Sequence, residues 1–232
     1  MDDKNTSDNS MDAAKSLILN AALPHAAFDG WSETTLQAAV ADSGVAPGLA
    51  RALFARGGID LAVAYHQSGD RAMREAITAA DLTALRYTDR VAQAIKVRLA
   101  DADKELVRRG TTLFSLPHHA PEGAKLIWGT ADAIWQALGD TSNDLNWYSK
   151  RATLSAVYSA TVLFWLGDQS DGNAETWAFL DRRLANVTQF EKAKAAVMRN
   201  PIAKALLSGP LKLMEKIRAP QSAADLPGHH KS

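Results

Sequence analysis

The chain has 232 residues, no cysteine, and 26 Lys+Arg against 26 Asp+Glu. That length supports one substantial core with terminal extensions. The missing cysteines exclude disulfides, thiolate catalysis and thiolate metal sites, and the balanced charge excludes a molecule-wide field that would gather nucleic acid or anionic membrane, so any such role is local.

Apolar residues recur three and four apart almost throughout, and strand-length alternation of period two is absent, which predicts an all-α fold. No basic-then-apolar leader opens the sequence and no run approaches the roughly 20 apolar residues of a spanning helix, so a soluble chain is expected. Residues 1–10 are almost wholly polar and read as a disordered tail. Helices follow over 11–23, 32–42 and 47–54. The turn at Ser43-Gly44-Val45 before Pro47 gives them helix-turn-helix spacing, a module over 11–56. The second of those helices carries Leu49 and Leu53 where a DNA reader needs polar, phosphate-contacting side chains. From Trp31 to His66 the cations Arg51 and Arg56 face Glu33, Asp42 and Asp60. The module therefore reads as scaffold, and no nucleic-acid partner is expected.

Longer helices are predicted over 59–79, 83–102, 104–116, 122–138, 147–166 and 173–187, forming a domain over 57–188, with stops at Gly57-Gly58, Pro117 and Gly139. Five of the six tryptophans fall between Trp128 and Trp177. Ile127, Trp128, Ala131, Ile134 and Trp135 share one helical face, and Val157, Thr161, Phe164 and Trp165 share another, with Leu113 and Phe114 as further candidates. These residues form either core or the lining of a cavity for an apolar ligand. Between the two faces, Trp147-Tyr148 sits in a polar, turn-rich stretch, to plug a groove or to anchor a partner.

The last segment, 189–218, combines an apolar stripe with cations: Ile202, Leu206, Leu207, Leu211, Leu213, Met214 and Ile217 with Lys204, Lys212 and Lys216, interrupted near Pro201 and at Gly209-Pro210. It suits an anionic membrane surface, or a helix folded back onto the body or into a dimer. Residues 219–232 read as a second disordered tail. The six histidines form no His-x-x-x-His or Glu-x-x-His pattern, and His118-His119 reads as a helix-start segment. With no phosphate-binding glycine loop and no Gly-x-Ser-x-Gly either, no catalytic residue, metal or cofactor is expected.

Three ordered runs carry a family resemblance: Ile127-Trp128-x-x-Ala131-Asp132-x-Ile134-Trp135, Gly139-Asp140-x-Ser142-x-Asp144-Leu145-Asn146-Trp147-Tyr148-x-Lys150-Arg151, and Thr176-Trp177-x-Phe179-Leu180-x-Arg182-Arg183. With Phe28-Asp29-Gly30-Trp31 and Arg56-Gly57-Gly58-x-Asp60-Leu61, the chain resembles the coenzyme Q nine family, lipid-binding accessory proteins of ubiquinone biosynthesis, in the form found in alphaproteobacteria and mitochondria. The resemblance implies a TetR-like helical bundle that has given up DNA and binds an isoprenoid quinone intermediate. It also implies presentation of that lipid to the di-iron demethoxyubiquinone hydroxylase. Trp147 and Tyr148 carry over as partner contacts framed by Asp144, Asn146 and Arg151, and the C-terminal amphipathic segment carries over as the membrane contact. A homodimer through the last helices and a cytoplasmic location, peripheral on the inner membrane, complete the expectation. The competing expectation is a TetR-like ligand-sensing transcriptional regulator.

Overall fold

In a computed structural model, the described residues are 2–199, with side chains over 10–190. Among them are nine α-helices and no strand. The expected basic stripe from Ile202 to Ile217, with Lys204, Lys212 and Lys216, and the tail over 219–232 lie outside the described residues. The chain forms two compact units that divide between Ile134 and Trp135.

In the first unit, α1 (Asp2–Asp29) packs against α2 (Glu33–Ser43), α3 (Pro47–Leu53), α4 (Gly58–Ala79) and α6 (Lys104–Ser115). Helix α1 begins at Asp2 rather than Met11, taking in the polar stretch read as a tail. Once Ile18, Ala22 and Ala26 are buried, adding further residues needs only propagation of an existing helix. The Ser32 hydroxyl caps α2 by accepting from the Thr35 amide at 3.1 Å, and Thr35 Oγ1 donates to the Gly30 carbonyl at 2.6 Å. Gly44, at φ 66°, ends α2 in the left-handed region as the turn chemistry predicts. Trp31, Leu36, Phe54, Leu61 and Leu106 then share one core. The helix-turn-helix-like elements are thus built into the same core as α4 and α6, and no boundary falls at residue 56.

Helix α5 (Tyr87–Ala100) packs on α4 and starts later than the periodicity predicts. Asp81 Oδ1 accepts from the Thr83 amide and hydroxyl, and Arg90 donates to the carbonyls of Thr83 and Leu85, so 81–86 is held as a loop. Helix α7 (Ala120–Ala137) follows a turn in which the His119 carbonyl accepts from the amides of Glu122 and Gly123, which matches the reading of His118-His119 as a helix start.

The second unit holds a helical hairpin of α8 (Leu145–Gly167) and α9 (Ala174–Arg199). Its turn is organised by Asp168. Oδ1 accepts from the Ser170 amide and hydroxyl at 2.8 and 2.6 Å, and Oδ2 from the Thr176 amide and hydroxyl at 2.9 and 2.5 Å. Phe164 and Phe179 stack across the two helices with centroids 4.6 Å apart. Helix α9 runs unbroken past Val187, where the sequence pattern predicts a stop, so the boundary drawn at 188/189 falls inside a helix.

Candidate functional site

The second unit contains a polar cluster built around the Trp-Tyr stretch. Gly139, at φ 74°, turns the chain out of α7, and the Asp140 amide bonds the Trp135 carbonyl at 2.9 Å. This carries the Asp140 carboxylate to the start of α8, where it is only 2% exposed. Lys150 Nζ donates to its Oδ1 at 2.6 Å and to Ser142 Oγ at 2.8 Å, Ser142 Oγ donates to Oδ1 at 2.9 Å, and Arg151 donates to Oδ2 at 3.2 Å. Burial alone would raise the acid's pKa. The hydrogen bonds from Lys150, Ser142 and Arg151 outweigh it and hold the carboxyl below its usual range.

Asp144 caps α8, accepting from the Asn146 amide at 2.9 Å and side-chain amide at 3.1 Å. Trp147 and Tyr148, both half-buried, meet edge to face with centroids 4.8 Å apart and planes at 76°. Arg151 is also only 2% exposed, with its guanidinium carbon 3.9 Å from the Trp147 ring centre and NH1 donating to the Trp147 carbonyl at 3.2 Å. It is a buried support for the indole. Lys150 and Asp140, which the site residues named from sequence leave out, complete the support. The signal available was the acid beside Gly139 and two adjacent cations one helical turn past the rings.

The apolar candidates fall in both units. In the first, Ala131 and Ile134 are buried, and Ile127 and Trp128 half-buried. Leu113 and Phe114 are half-buried against the core that holds Trp31 and Phe54, so part of their surface is committed there. In the second, Trp135, Val157, Thr161 and Trp165 are buried and Phe164 is half-buried. Thr161 Oγ1 donates to the Val157 carbonyl at 2.8 Å, so its hydroxyl is satisfied within its own helix.

A polar network that sequence reasoning missed lies inside the first unit. Arg98, on the buried face of α5, donates to Asp70 Oδ1 at 2.7 Å and to the His66 carbonyl at 2.9 Å. Thr130 of α7 is fully buried, donates to the Asp70 carboxylate at 3.0 Å, and has its Oγ1 2.8 Å from His66 Nε2. Burial lowers the His66 pKa from 6.5 to about 4, against the opposing pull of Asp70 and with the help of Arg98. The network ties α4, α5 and α7 together.

The helix-turn-helix-like elements hold two cations that are already engaged. Arg51 bonds Glu33 at 2.6 Å, and Arg56 bonds Asp60 at 2.7 Å and Glu122 at 3.3 Å. Among the described residues no group of three or more His, Asp and Glu side chains is placed to hold a metal ion, and no helix is long and apolar enough to cross a membrane.

The family model described as COQ9 matches residues 120–191, which span α7, α8 and much of α9. The chain is similar to the mitochondrial ubiquinone biosynthesis protein COQ9 of Drosophila melanogaster, 28% identical over 187 residues, covering 78% of this chain and 57% of that protein. It is similar to the Homo sapiens protein of the same name, 30% identical over 176 residues, covering 72% of this chain and 55% of that one. The chain thus spans a little over half the length of these curated relatives. In structure it is similar to a TetR transcriptional regulator from Nitrosomonas europaea, with a TM-score of 0.61 at 20% identity, covering 75% of this chain and 98% of that one. The fold is therefore an all-α, TetR-like helical bundle. The sequence matches go beyond fold: the chain belongs to the COQ9 family.

Proposed function

We propose that this chain acts in ubiquinone biosynthesis as a non-catalytic, lipid-binding accessory protein that presents an isoprenoid quinone intermediate to the di-iron demethoxyubiquinone hydroxylase. The names of its curated relatives support the pathway. The observation that carries the docking step is the Trp147-Tyr148 pair at the first turn of α8, partly exposed and braced from below by Arg151. Aromatic rings held in place in this way make efficient protein-protein anchors, because little rotamer freedom is lost on binding.

A polyprenyl tail is insoluble in water, so an enzyme acting on the ring gains if the head is lifted from the bilayer while the tail stays covered. The proposed cover is drawn from the apolar candidates named from the sequence, and the proposed membrane contact from the basic segment over 189–218. Nothing in these steps needs a catalytic residue. The regulator reading has the TetR-like fold in its favour, but Arg51 pairs with Glu33 and Arg56 with Asp60 and Glu122, so acidic neighbours offset the cations a duplex reader would use.

The test is Trp147→Ala, assayed for hydroxylase binding and for lipid retained through purification. Weaker hydroxylase binding with unchanged lipid supports presentation. Parallel loss of both assigns Trp147 to the core instead.

A further inference from the structure

We propose that Asp140 is a positioning residue for the Trp147-Tyr148 surface: through Arg151 it fixes the pose in which the indole meets the hydroxylase. The inference rests on the docking reading above and concerns the same site.

Asp140 does not touch either ring. Its carboxylate takes Lys150 and Ser142 on one oxygen and Arg151 on the other. The same Arg151 NH1 that reaches Asp140 also donates to the Trp147 carbonyl, and the guanidinium plane lies under the indole. One side chain therefore couples the carboxylate to both the backbone and the ring of Trp147. Lys150, bonded to the same carboxylate, has its Nζ 5.6 Å from the centre of the Trp135 ring. Trp135 closes the loop, because its carbonyl accepts the Asp140 amide. An Arg side chain free to rotate would have to be ordered at the moment of docking. Here the ordering is complete beforehand, which is the general route by which preorganisation raises affinity.

A carboxylate sheltered to this degree is stable only because its cations and hydroxyl accompany it. The isosteric Asp140→Asn keeps the shape but withdraws the charge that gathers Lys150 and Arg151. Arg151 then keeps its bond to the Trp147 carbonyl and its place against the ring but loses the Asp140 carboxylate.

The experiment measures affinity of the full chain for the purified hydroxylase, in wild type, Asp140→Asn, Trp147→Ala and the double variant. Melting curves and a fluorine-labelled tryptophan resonance of Trp147 accompany it. Asp140→Asn is expected to shift and broaden the Trp147 resonance and to weaken binding by about fivefold or more, with little further loss in the Trp147→Ala background. An unshifted resonance, a smaller loss, or an equal loss with and without Trp147 overturns the proposal. If Asp140→Asn fails to fold, Asp140→Glu, which keeps the charge but moves the carboxylate by one methylene relative to Arg151, provides the same cycle, and the same results support or overturn the proposal. If Trp147→Ala itself leaves affinity unchanged, the docking reading has failed, and that outcome is distinct from a failure of Asp140 alone.

Discussion

Arg151 places its guanidinium carbon 3.9 Å from the centre of the Trp147 indole while bonding the Trp147 carbonyl and the Asp140 carboxylate with the same nitrogen. A lysine cannot reproduce a planar group that stacks on a ring and bonds in two directions at its edge. Arg151→Lys is therefore expected to lower unfolding free energy by roughly 1–2 kcal/mol, measured by urea denaturation. An unchanged midpoint would show that the stacked geometry contributes nothing.

The buried His66 gives a pH dependence with a definite sign. Its folded pKa of about 4 lies below the 6.5 of the free side chain, so the unfolded chain binds the proton more readily. Stability is complete above about pH 6.5 and declines as pH falls toward 4, by roughly 2–3 kcal/mol from this group. Asp70 and Arg98 face the same imidazole and shape its surroundings. His66→Gln should flatten the decline between pH 6.5 and pH 4.5, read from unfolding midpoints across that range. A decline as steep as in wild type would place its origin elsewhere.

Gly58 lies where the start of α4 crosses the α1–α2 connection. A Cβ there would collide with the backbone of Trp31 and Ser32, which no rotamer change can relieve. Gly58→Ala is expected to destabilise by about 2–3 kcal/mol. Gly48→Ala, in α3 with open space around the added atom, serves as the control, with a change near zero or slightly favourable. Equal melting temperatures for the two variants would refute the close crossing.

Helix boundaries were legible at most places where the sequence carries its own punctuation, although α1 runs on from Leu23 through Pro24 to Asp29. Ser32 at the start of α2, Gly44 at its end, Pro47 opening α3 and Gly139 closing α7 act through local backbone chemistry. The start of α5 was not legible, because side chains of Asp81 and Arg90 compete for the backbone of a stretch whose apolar spacing suits a helix. The Arg98-Asp70-Thr130-His66 network was invisible for a different reason. Its members lie up to 64 residues apart, and only a polar residue on an otherwise apolar face, such as Arg98 among Val91, Ile95 and Leu99, hinted at it. The aromatic pair stands out in the sequence, and of its support only Arg151 does. The convergence of Lys150 and Arg151 on Asp140 depends on the turn at Gly139.

Asp168 gives the α8–α9 turn a pH dependence of the same sign. Hydrogen bonds from Ser170 and Thr176 hold its carboxyl far below the usual range, against the opposing effect of burial. The resulting stabilisation is present above about pH 4, the ordinary range of a free Asp, and is lost as pH falls toward the lowered value. Asp168→Ala should lower the melting temperature at pH 7 and reduce acid sensitivity. A variant as stable as wild type at neutral pH would mean that the turn holds without its carboxylate.

Whether this chain carries the proposed isoprenoid quinone intermediate is decided by mass spectrometry of lipid extracted from the purified full chain. A quinone-type isoprenoid near one equivalent per chain is the predicted result. Protein that carries no isoprenoid lipid, and takes none up from vesicles loaded with ubiquinone, would rule out a role in carrying the quinone intermediate.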